Sequence, residues 1–180
     1  MKNYPVVRTD KMSGTDARID LYSVRYVVET ENATTSSVDK VPTEIVNGAV
    51  VKLGELEVVG TATKREVYEV TDVAADTPLT EVVLIAAPEV TYDERLRNLD
   101  DFINEAGTAA RAYALHIGAH FGLTENAFDG TPKKGMIVEL KAGHKLAVVN
   151  SLTSGSTKVG VIEAVEPAGK YTYFVVKVTG

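Results

Sequence analysis

The chain has 180 residues, 44% of them hydrophobic and 24% charged, with 19 Lys and Arg against 25 Asp and Glu. That length holds a sizeable core, the composition excludes a disordered tail, and no apolar run approaches the ~18 residues of a membrane-spanning helix. A net charge of −6 disfavours phosphate backbones, and the lack of any cysteine removes disulfides, thiolate metal sites and thiol nucleophiles together.

Residues 1–18 show neither a two-residue nor a 3.6-residue apolar period, so they are expected to form an extended arm ahead of a β-rich domain over residues 19–180. Tyr4, Pro5, Val6 and Val7 give that arm apolar handles which a solvated tail does not require, and Arg8 follows them. The start has no basic cluster with a long apolar stretch behind it, so secretion is not expected. The Asn32-Ala33-Thr34 tripeptide then carries no weight as a glycosylation site.

Residues 19–30, rich in Val, Tyr and Ile, read as a strand, because β-branched side chains lose rotamer freedom in a helix. Asn47-Gly48 signals a turn, 49–53 a strand, Gly54 a break, and 55–59 a further strand closed by Gly60. Residues 66–70 and 81–86 continue the pattern, the second apolar enough to be covered on both faces. Between 91 and 106, Leu96, Leu99 and Ile103 stand at helical spacing and predict one short helix near 93–104, where the domain also has a possible subdivision (91–107). Strands are then expected over 108–117, 119–123, 136–140, 145–149, 159–165 and 171–178. Short strands at near-regular intervals predict a mainly β, antiparallel barrel or sandwich. The runs Gly48-Ala49-Val50-Val51-Lys52-Leu53 and Gly135-Met136-Ile137-Val138-Glu139-Leu140 echo one another, as related hairpins or as common strand grammar.

Chemistry is sparsely provisioned. His116 and His120 stand four apart without an intervening glutamate, and Gly118 argues against a helix that would bring them to one face, so no metal and no cofactor is expected. Ser154-Gly155-Ser156-Thr157-Lys158 has its hydroxyl before the lysine and a strand behind it, the wrong order and context for a phosphate loop. Asp93 with Glu94 and Asp100 with Asp101 read as the wet face of a short helix. Tyr4, Tyr22, Tyr26 and Tyr92 combine apolar area with a hydroxyl, as residues at protein contacts do.

The run from Asn104-Glu105-Ala106-Gly107-Thr108-Ala109-Ala110-Arg111-Ala112-Tyr113 through His116-Ile117-Gly118-Ala119-His120-Phe121-Gly122-Leu123-Thr124 resembles a segment of small virion proteins of tailed bacteriophages, capsid decoration and head auxiliary (head-fibre-base) proteins among them. It departs from their usual pattern in carrying Ala119 and His120 where an acidic residue follows the glycine. The resemblance implies a non-enzymatic structural protein on the outside of the capsid, made in the host cytoplasm. Its implied partners are the major capsid protein and further copies of itself, with neither nucleic acid nor membrane involved. On that reading Tyr4, Pro5, Val6, Val7, Arg8, Tyr22 and Tyr26 supply partner contacts. The alternatives are another head or tail structural protein, or a ligand-binding or hydrolytic β-barrel with a site around His116, His120 and His144.

Overall fold

A computed structural model describes residues 3–8, 21–31, 38–59, 62–91, 95 and 98–180. The chain is mainly β and forms a closed five-stranded barrel followed by a curled half-barrel sheet. The barrel is built from β1 (Leu21–Glu31), β3 (Val50–Val59), β4 (Ala62–Asp72), β5 (Val82–Ile85) and β6 (Ala110–Ala114). β1 closes it by changing partner along its length: residues 21–24 pair antiparallel with β6, 24–26 parallel with β4, and 27–31 antiparallel with the edge strand β2 (Val38–Pro42).

A barrel this narrow must be filled by side chains. The inward positions of β6 are Ala110 and Ala112, and that economy of volume leaves space for Tyr26 and for half-buried Tyr22 and Tyr68. Tyr22 and Tyr68 meet edge to face with ring centroids 5.5 Å apart. Val24, Val51, Val70, Val83 and Ile85 complete the barrel interior.

The second sheet runs β7 (His120–Leu123), β12 (Tyr171–Val178), β11 (Lys158–Ala168), β9 (Ile137–Leu140), β10 (Leu146–Val149), β8 (Phe128–Asp129). Its inner face carries Phe121, Leu123, Val138, Leu140, Leu146, Ile162, Val176 and Val178, packed against Val50, Val82 and Leu84 on the barrel's outer wall. Alternation therefore sends Val83 and Ile85 of β5 into the barrel and Val82 and Leu84 into the space between the sheets. All four are at most 2% exposed. At ~2 kcal/mol per fully buried aliphatic side chain, these four residues stabilise the fold by about 8 kcal/mol, comparable with a whole domain's net stability.

Two expectations change in detail. Gly54 does not break the chain: it lies within β3, and a Cβ there would stand 2.8 Å from the Glu69 carbonyl oxygen, so the glycine serves close backbone approach at a bulge. Of the predicted helix, the described residues contain one 3-10 turn, Leu99–Asp101; the flanking residues 92–94 and 96–97 lie outside the described part. Residues 115–119 connect the last barrel strand to the first half-barrel strand.

Candidate functional site

The described part of the arm, residues 3–8, lies on this chain's own half-barrel. Val7 bridges Leu123 in antiparallel fashion, the Arg8 amide donates to the Gly122 carbonyl at 2.9 Å, and the Thr124 amide donates to the Val6 carbonyl at 3.1 Å. The arm thus adds a short strand to the outer edge of β7. The Val6 amide also donates to Thr124 Oγ1 at 2.9 Å. Val6 and Val7 are 0% and 2% exposed, Pro5 is buried beside Gly48, and Val7 belongs to the inter-sheet core.

Polar groups hold both ends of the strand. The Tyr4 amide donates to the Asp100 carbonyl at 3.1 Å, and the Asp100 carboxylate accepts from Lys170 Nζ and the Tyr171 hydroxyl, each at 2.9 Å. At the other end Arg8 pairs with Glu166 Oε2 at 3.1 Å and lies over the Tyr173 ring. Burial pushes the Asp100 carboxyl up, but the hydrogen bonds from Lys170, Tyr171 and its own backbone outweigh it and leave the group below its ordinary value. Five residues expected to reach a neighbour, Tyr4 to Arg8, therefore sit in a socket made by distant parts of the same chain. Tyr22 and Tyr26 contribute to the barrel interior, Tyr26 buried and Tyr22 half-buried.

Tyr26 has a second task at the barrel mouth. Its hydroxyl donates to Asp72 Oδ1 at 2.9 Å, and His144 Nδ1 lies 3.4 Å from the same oxygen. Burial, then the hydrogen bond and charge of Asp72, push the phenol far above its ordinary value. Tyr26 is a locked donor, the opposite of an activated base. The neighbouring backbone ties the two sheets together here, with Val73 bridging Gly143 and the Val50 amide donating to the His144 carbonyl.

The three histidines have different surroundings. His120 Nε2 meets Glu163 Oε2 at 2.9 Å on the outer face of the half-barrel, whereas His144 packs beside Tyr26 and Asp72; His116 opens the turn before β7. Among the described residues no group of three or more His, Asp or Glu is placed to hold a metal ion. The residues flanking the Ser154-Gly155-Ser156 loop turn their amides inward: Thr153 donates to buried Glu139 at 2.8 Å and Thr157 to the Ala75 carbonyl at 2.7 Å. A carboxylate under such a loop repels phosphate. Asp101 accepts from Asn98 at 2.9 Å, while Tyr92, Asp93 and Glu94 lie outside the described residues.

The opposite flank of the barrel is the most open. All five residues of β2 are exposed, and among the described residues no strand lies along its outer edge. Val28 and Val41 face each other across the β1–β2 ladder at 37% and 47% exposure, and Val38 and Val58 are more than half exposed. An open depression of about 660 Å³ lies farther along the barrel between residues 87–91 and 101–109. The side-chain nitrogen of buried Asn104 in its wall is committed to the Ile45 carbonyl and to Asn47.

Composition and hydropathy pattern foretold neither the acceptor edge on β7 nor the exposed β1–β2 flank. Both depend on which strands end up at sheet edges. No protein-family profile, curated protein or solved structure matches the chain.

Proposed function

We propose that this chain is a structural virion protein of a tailed bacteriophage. It decorates the outside of the capsid and stabilises it through contacts with the major capsid protein, without turning over a substrate. The phage assignment rests on the resemblance of residues 104–124, which in this fold carry the last barrel strand, the connection and the first half-barrel strand. The single structural observation that supports a docking role is the flank formed by β2: an exposed strand with no described strand along its outer edge, beside exposed Val28 and Val41.

Such an edge accepts a strand from another protein, main-chain hydrogen bonds supplying affinity and alternate side chains specificity. Many copies on a symmetric shell make weak individual contacts sufficient. A map of the particle that carries this chain is expected to place it on the outer surface with β2 against the capsid protein. Val28→Lys with Val41→Lys, at exposed positions, is expected to leave the fold intact and abolish co-sedimentation with capsids. Placement inside the head or in the tail, or full binding by the double variant, overturns the reading.

A further inference from the structure

The strand formed by residues 3–8 occupies a socket built by residues far along the chain. Gly48, Asp100, Gly122, Leu123, Thr124 and Glu166 build it, and the Val6–Thr124 hydrogen bond spans 118 positions. The strand's backbone hydrogen bonds and the Arg8 ion pair run to Asp100 and to the half-barrel, yet the chain continues from it toward β1 of the barrel. The socket receives the strand's backbone, Pro5, two buried valines and the Arg8 side chain.

Twelve residues, 9–20, separate Arg8 from Leu21. At ~3.4 Å per residue that tether reaches up to about 40 Å, as far as a domain of this size is wide. Connectivity therefore does not dictate whose socket the strand fills. An identical strand from a second copy makes the same hydrogen bonds, fills the same apolar space and meets the same Glu166. The choice between the two is a matter of effective concentration.

We propose that residues 3–8 are an exchangeable strand, seated on its own β7 in the isolated chain and on the β7 edge of a second copy where copies are crowded. The exchange links copies without any new interface chemistry. It does not rest on the virion reading, and its test needs no capsid.

The cysteine-free chain makes the test direct. A Cβ at Gly122 would stand 3.4 Å from that of Arg8, close to the ~3.5–4.5 Å that a disulfide spans, and Gly122 needs no left-handed backbone. Arg8→Cys with Gly122→Cys in one chain is expected to close internally at low concentration. Mixing full chains that carry one substitution each is expected to give a dimer at twice the chain mass, with an 8–122 link found by mass spectrometry and a yield that rises with concentration. A second pair avoids cysteine: Arg8→Glu and Glu166→Arg each repel their own strand, but a mixture restores opposite charges only across copies. That mixture is expected to elute as a heterodimer where each variant alone does not. Either product supports exchange; absence of both, at the highest concentration the chain tolerates, overturns it.

Discussion

Asn47 shows how much one buried amide holds. At 1% exposure its side chain donates to the Ala87 carbonyl at 2.8 Å, and its oxygen accepts from the Ala87 amide at 3.0 Å and from Asn104 at 3.1 Å. Asn47→Ala leaves the buried Ala87 amide and carbonyl without this partner, and at ~1–3 kcal/mol for each unsatisfied group the expected loss is about 3 kcal/mol, read from urea unfolding. Asp100 gives a pH signature. Its folded carboxyl sits below the ordinary value of 3.8, so its contribution is complete above that pH and is lost as pH falls through the lower folded value. Asp100→Asn is expected to lower the melting temperature at neutral pH, with the gap to the parent narrowing below about pH 4 in a thermal series. A gap that stays constant into acid would show that the Lys170 and Tyr171 contacts carry no linkage.

At the scale of elements, glycines divide into two kinds that the sequence does not distinguish. A Cβ on Gly160 would lie 2.0 Å from the Lys177 carbonyl oxygen, inside the irregular β11–β12 ladder, whereas one on Gly155 meets nothing and is penalised only by its φ of +85°. Gly160→Ala is expected to cost upwards of ~3 kcal/mol, and Gly155→Ala about 1 kcal/mol, in denaturant melts. The same ambiguity explains Gly54, which reads as punctuation along the chain and turns out to be a point of close approach to Glu69. What was legible rests on local pattern: the Val82-Val83-Leu84-Ile85 run announces a strand covered on both faces, and 171–178 a half-buried one. What was not legible depends on pairing across long separations. Val6 and Val7 signal that the arm binds something, but the acceptor edge lies more than a hundred residues away, and periodicity carries no information about it. The packing of Tyr22 and Tyr26 beside the alanines of β6 likewise depends on pairing that no local pattern announces.

For the whole molecule, the decisive feature is that β5 lines both interiors. The barrel core and the inter-sheet core draw on alternate residues of one four-residue strand, so neither packs fully without the other. Heating is expected to melt both in one calorimetric transition, with van't Hoff and calorimetric enthalpies in agreement; two resolved peaks would show that the halves are independent. The shared wall also sets how this gene can be cut. Separation between residues 91 and 98 strands β5 on one fragment and its neighbour β6 on the other, so the two pieces are expected to be insoluble apart and soluble when produced together. A lineage carrying this fold can lengthen its surface hairpins freely, but it inherits or loses the two sheets as one piece.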